Sequence, residues 1–353
     1  MPAPFSSARL SIFFVAGLAV SAAAFTACTF NPPPRSNGLT GSGSAGSNGT
    51  GMQTAGNGST FISGTAGSAS GAAGAGGPTY TPGTINQTPI PADFTMADVG
   101  AYKLGDPIPA NGGTTMIDSS PMGCYQVVGV VRDFRGANEP MGHPDFEFFS
   151  GSAQTTGLVA ADLGADRKPV YASQCELATV PKGSTTAACP YGPQTTTKAN
   201  YDQWYRTMDG VNMAYDMSFI FEPSGTGATM TFNSSHFFPL DGTGFGNTPD
   251  MSHNFSFTTE LHTKFFYSGG EQFTFTGDDD VWVFINHKLA VDLGGLHPQT
   301  SSTIDIDMQA GALGITKGNA YDIELFHAER HSTESHFRVD TNFVFVDCGT
   351  IIP

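Results

Sequence analysis

The stretch FTFTGDDDVWVFINHKLAVDL, residues 273–293, decides how this chain is read. Two strongly β-forming runs flank three consecutive aspartates, Asp278, Asp279 and Asp280. Like charges held so close repel one another, and the strain is relieved when a cation sits among them. A calcium-type site at a strand end follows from that; the blander alternative is a solvated turn that blunts a sheet end. Before the triplet, Phe273 and Phe275 alternate with threonines, the period of a half-buried strand. After it, residues 281–285 are apolar at every position, so this strand is expected to lie centrally, covered on both faces. Asn286 and His287 then separate it from the next β-forming run, where a two-residue type I′ hairpin turn belongs. Histidine enters positive φ more readily than most residues, though less readily than glycine.

The same period runs through the surrounding sequence. Ile304, Ile306 and Met308 alternate with Asp305 and Asp307, and Tyr321, Ile323 and Leu325 alternate with Asp322 and Glu324. Phe255 and Phe257 alternate with Asn254 and Ser256. Each reads as an antiparallel strand with one face buried. No amphipathic helix longer than about three turns is evident, and short helical pieces are expected only near Lys198–Met208. The fold class is therefore all-β, an antiparallel sandwich or barrel with long loops.

Composition narrows the function classes. Net charge is −16 with only 15 Lys and Arg, which speaks against a nucleic-acid partner. The 28 phenylalanines and low charge suit a β-rich exported domain. The N-terminus reads as an export signal over 1–27: Arg9, then an apolar run from Leu10 to Ala24 that is too short to span a bilayer. The run ends in FTAC, residues 25–28, which resembles the lipobox of bacterial lipoproteins, with Phe25 in place of the usual leucine. That resemblance implies cleavage before Cys28 and its acylation, so that lipid alone holds the protein to a membrane. Thr29 rather than aspartate after the cysteine points to the outer membrane, with the domain facing outward. Residues 28–92 form a linker: from Ser36 to Ala92 no side chain is charged and Gly, Ser, Ala, Thr and Asn dominate. The folded domain is expected over 93–353.

Four further cysteines remain, Cys124, Cys175, Cys189 and Cys348. An even number in an exported chain implies two disulfides with three connectivities. Cys175–Cys189, stapling a loop, and Cys124–Cys348, joining the ends of the domain, is the favoured set. No C-x-x-C spacing supports zinc.

The segment GDDDVWVFINHKLAVDLGGLH, 277–297, is similar to the signature of the fibro-slime domain, a branch of the PA14 superfamily found in secreted proteins. Supporting blocks occur in order: VRDFR (131–135), HPDFE (143–147), FFPLDG (237–242), HNFSFT (253–258) and FHAER (326–330). The likeness covers about Cys124 to Cys348. One departure is His287, where the family usually has glycine. The resemblance implies a PA14-like β-sandwich or barrel. It also implies a route to function, since several lectin members bind sugars through calcium held by two successive aspartates. Those fall on Asp278 and Asp279 here, with Asp280 as an accessory acid. Calcium takes six to eight oxygens, so a second loop must contribute. In the resemblance that loop comes late in the domain, at Glu329 to Ser335, where Glu329 and Glu334 are the candidates.

Other motifs carry less. His327, Glu329 and His331 lack the helical H-E-x-x-H spacing of zinc proteases. His297 is expected to be structural, and DGTGFG at 241–246 a turn rather than a nucleotide loop. Trp204, Tyr205 and Trp282 offer aromatic faces for a sugar, with core packing favoured for Trp282. The expected function is a lipid-anchored, non-catalytic surface module binding carbohydrate or matrix through calcium. The alternatives are an envelope or adhesion protein with a fold-stabilising calcium and, further off, a glycoside hydrolase.

Overall fold

The computed structural model describes residues 90–117, 124–225 and 228–353. The export signal, Cys28 and the linker up to residue 89 lie outside the described residues. Among those described, sixteen strands and two helices form. β1 (Thr95–Met96), β2 (Ala101–Ile108), β3 (Thr115–Met116) and β4 (Gln126–Phe134) precede a long segment, 135–211. Within it the one regular element is the single-turn helix α1 (Lys198–Tyr201). β5 (Asn212–Ile220), β6 (Glu222–Pro223) and β7 (Met230–Ser234) follow. Next come β8 (Phe257–Tyr267), β9 (Gln272–Gly277), β10 (Asp280–Ile285), β11 (Lys288–Leu293), β12 (Thr300–Asp305) and helix α2 (Ile306–Leu313). β13 (Asn319–Glu329), β14 (Phe337–Thr341), β15 (Val344–Asp347) and β16 (Thr350–Ile351) complete the order.

The strands pair antiparallel into a large sheet, β1-β2-β5-β4-β8-β13-β10-β11 with β15 also on β8, and a smaller one, β12-β9-β14-β7-β6. A two-stranded ribbon joins β16 and β3. Between the two sheets lies a phenylalanine-rich core that includes Phe219, Phe232, Phe257, Phe275 and Phe337. Full burial of such a side chain contributes on the order of 2–3 kcal/mol.

The all-apolar run of β10 is explained by two separate cores. Val281, Val283 and Ile285 face the inter-sheet core, while Trp282 and Phe284 face a second cluster with Phe146, Tyr201, Trp204 and Tyr205. The 135–211 segment thus forms a third layer over the outer face of the large sheet. β10 is the second strand from the edge rather than a central one. A polar belt lies under that layer: buried Glu260 is paired with Arg132 at 2.6 Å, with Lys168 and with His262. Burial raises the Glu260 pKa, but these neighbours together pull it well below the usual carboxylate range.

Both expected disulfides are present, Cys124–Cys348 and Cys175–Cys189. They mark an oxidising, exported setting. The β10–β11 turn is the expected hairpin, with Asn286 and His287 at φ 51° and 63°. The strand expected through Ile304–Met308 is corrected: β12 stops at Asp305, whose side chain accepts from the Met308 N–H at 3.1 Å and caps α2. Gly314, in the left-handed conformation at φ 68°, ends that helix. Among the described residues no helix is long and apolar enough to cross a membrane.

Candidate functional site

The acidic triplet lies at a two-residue crossing between the two sheets. β9 ends at Gly277 in the smaller sheet and β10 begins at Asp280 in the larger, so Asp278 and Asp279 make up the whole connection. A second crossing, residues 330–336, runs back from β13 to β14. Pairing of Asp280 with Ala328 and of Gly277 with Phe337 lays the two connections side by side. The contact is close: a Cβ on Gly277 would stand 2.5 Å from the His336 carbonyl oxygen, so only glycine fits there. Asp279 sits at φ 54°, a conformation that costs most residues about 1–2 kcal/mol and aspartate less.

Each aspartate finds a protein partner. Asp278 accepts from the His336 N–H at 2.6 Å through Oδ1, and its Oδ2 lies 2.7 Å from His336 Nδ1. Asp279 Oδ2 accepts from the N–H groups of Arg330 and His331 at 2.9 and 3.1 Å. Asp280 is wholly buried; its Oδ1 accepts from the Gly295 N–H at 2.6 Å, and its Oδ2 lies 2.7 and 2.6 Å from Arg330 Nε and Nη2. The Arg330 guanidinium also donates to the Gln194 carbonyl at 3.0 Å and stacks on Trp204 at 4.5 Å. Asp280 is therefore the counter-charge of a buried arginine that ties the third layer to the site, not a free accessory acid. A buried ion pair of this kind is costly to break from either side.

Glu329 is the exception. It is fully buried at the end of β13, and neither carboxyl oxygen has a hydrogen-bond donor in the protein. Burial, followed by the charges of Asp279 and Asp278, pushes its pKa well above the ordinary carboxylate value. Burial likewise raises Asp279, to about 6, although Arg330 and its N–H act in the other direction. A buried carboxyl facing two others keeps a proton or takes a cation. Glu334, by contrast, is exposed. One ligand atom each from Asp278, Glu334 and His336 lie within 4.8 Å of one another, a compact donor set.

Of the five acids expected to hold a metal, the structure brings Asp278, Asp279, Glu329 and Glu334 to one end of the sandwich and gives Asp280 to Arg330. His336 and Arg330 were not expected. No spacing in the sequence announces them, because only the cross-strand register places them beside residues some fifty positions away. Trp204, Tyr205 and Trp282 are at most 1% exposed, so none presents a face to a sugar. His327 is buried among Phe237, Phe257 and Phe337, and burial, with His297, lowers its pKa to about 3. His297 is structural, its ring nitrogens 2.9 and 3.0 Å from the carbonyls of Pro298 and Leu293. The 241–246 segment is a turn folded over buried Asp133, whose Oδ2 accepts from the Phe245 N–H at 2.5 Å.

Residues 241–348 match the PA14 domain. The chain is 33% identical over 223 residues to protein psiR of Dictyostelium discoideum, covering 59% of this chain and 20% of that protein. It is 34% identical over 220 residues to protein psiJ, covering 58% and 29%, and 35% identical over 212 residues to protein psiC, covering 58% and 39%. The chain thus spans between about a fifth and two fifths of the length of these relatives. Among solved structures, an anti-sigma factor domain-containing protein overlays at a TM-score of 0.22 and 10% identity, over 70% of this chain and 82% of that one. So loose a likeness carries no argument.

Proposed function

We propose that this chain, which carries a PA14 domain over residues 241–348, is a non-catalytic module that binds carbohydrate or a carbohydrate-rich matrix with the help of a divalent cation. One observation supports the cation above all: Glu329 is buried without a donor, near enough to Asp279 and Asp278 for their charges to raise its pKa further. Asp278, Asp279, Glu329 and Glu334 would hold it, and their carboxylate oxygens are of the kind calcium takes. The imidazole of His336 is not. When bound, the ion would supply open coordination positions for vicinal hydroxyls. The chain's own part is to fix Asp279 through the N–H groups of residues 330 and 331, and to hold the crossing rigid through Asp280 and Arg330.

Lipid on Cys28, with the domain displayed from an outer membrane, completes the proposal. Mass spectrometry of the purified N-terminus tests that part: an unmodified Cys28 would overturn it. Catalysis is disfavoured by geometry. The successive aspartates of one short connection are ill placed to flank a glycosidic bond, across which a glycosidase needs its carboxyls about 5 Å or more apart. A structural role for the ion is the second reading, favoured by the way the site clamps two sheet-crossing segments together. The test is a glycan array probed with the full chain, first in calcium and then in EDTA. Binding lost in EDTA supports the proposal. Absence of glycan binding together with a melting point that rises with the cation would favour the structural reading.

A further inference from the structure

The calcium reading uses oxygens alone, yet the compact donor set at the site contains a nitrogen. His336 Nδ1 lies 2.7 Å from Asp278 Oδ2, and a Glu334 oxygen joins them within 4.8 Å. In a tetrahedral site with bonds of about 2.0–2.1 Å, neighbouring ligand atoms stand roughly 3.3–3.5 Å apart. The 2.7 Å contact and the 4.8 Å limit bracket that spacing. We infer that the ion at this site carries the His336 imidazole in its shell, and is therefore a borderline cation of the zinc class rather than calcium.

Three further features support this. The donors grade from buried to open: the Asp278 side chain is 7% exposed, that of His336 21%, and Glu334 lies at the surface. A three-ligand site with its fourth position toward solvent is the open form of a zinc centre, ready for a hydroxyl from a ligand. His336 is also held in place independently of its ring, because its N–H donates to Asp278 Oδ1 at 2.6 Å. The His336 backbone is therefore anchored to Asp278, with the ring's Nδ1 beside the other carboxylate oxygen. Glu329, a wholly buried carboxyl with no donor, ends the strand that leads into the 330–336 crossing carrying Glu334 and His336, so the set is not a mere solvated acidic cluster. Calcium would leave the imidazole unused, because hard cations take oxygen, whereas imidazole suits zinc and its neighbours.

The inference rests on the cation reading proposed above and fixes the class of ion. The test is equilibrium dialysis of the full chain against zinc and, separately, calcium, with bound metal counted by elemental analysis. His336→Gln and Glu334→Gln are measured beside the wild type, and circular dichroism confirms that each variant is folded. The expected result is one zinc per wild-type chain, with affinity reduced at least about tenfold in His336→Gln and also weakened in Glu334→Gln. Calcium should bind more weakly than zinc and be indifferent to His336. Zinc affinity unchanged in both variants overturns the inference. Tighter binding of calcium, unaffected by His336→Gln, also overturns it while leaving the cation reading in place. Failure of the wild type to bind either ion overturns both.

Discussion

Asp279 concentrates the account in one side chain. Its Oδ2 accepts two backbone N–H groups, and its backbone sits at φ 54°. Asparagine keeps an acceptor oxygen and tolerates that conformation well, so Asp279→Asn removes charge without removing structure. The variant should melt within a few degrees of the wild type and lose cation-dependent ligand binding. Unchanged binding would remove Asp279 from the site. Glu324 allows a pH prediction away from the candidate site. Burial raises its pKa to about 7, although Arg167 donates to Oε1 at 2.8 and 3.1 Å. With a folded value above the unfolded 4.5, its contribution to stability is fully present below pH 4.5 and fades as pH rises through 7. Denaturant unfolding of wild type and Glu324→Gln should therefore shift in favour of the glutamine variant by on the order of 2–3 kcal/mol between pH 4.5 and pH 8. A difference that does not vary with pH would contradict this. At this scale the triplet was legible as a cluster in need of partners, because adjacent carboxylates repel one another. Its partners were not, since Arg330 and His336 become neighbours only through strand register.

Among the elements, the β10–β11 hairpin was readable because turn chemistry is local. Asn286 and His287 both take positive φ, as a type I′ turn demands. Glycine is the better second residue, so His287→Gly should stabilise the protein by about 0.5 kcal/mol, the relief of left-handed strain less the entropy of glycine. Loss of more than about 1 kcal/mol would mean instead that the contact of His287 Nδ1 with Glu324, at 3.2 Å, outweighs the turn. The end of β12 was misread for a physical reason. Ile304 and Ile306 are both buried, which imitates strand alternation, but Asp305 caps a helix between them. The signals were present in Asp305 as N-cap and Gly314 after Leu313, yet a two-turn helix offers too few positions for its period to outweigh a run of alternating residues.

Across the whole molecule, the sandwich was legible from period-two patterning, while its third layer was not. Segment 135–211 has almost no regular structure, so nothing periodic announced that it would cover Trp282 and Phe284. The apolar run of β10 registered the covering but not its source, and so suggested a central position for a strand that is next to the edge. Two disulfides restrain this architecture at different ranges. Cys175–Cys189 closes a separation of 14 residues within the third layer, and Cys124–Cys348 closes one of 224. Loop-closure entropy sets their loss at about 3 and about 5 kcal/mol respectively. Paired Cys→Ala substitutions, compared by urea unfolding, should follow that order; the reverse order would show that the third layer rather than the sandwich limits stability.

A divalent cation at the two sheet crossings is proposed to recruit the carbohydrate ligand. The most direct measurement probes one glycan array with wild type and Asp279→Asn, each in calcium plus zinc and again in EDTA. Glycan binding is expected of the wild type with metal present, and none in EDTA or by the variant in any buffer. Binding that persists in EDTA, or in Asp279→Asn, would contradict it.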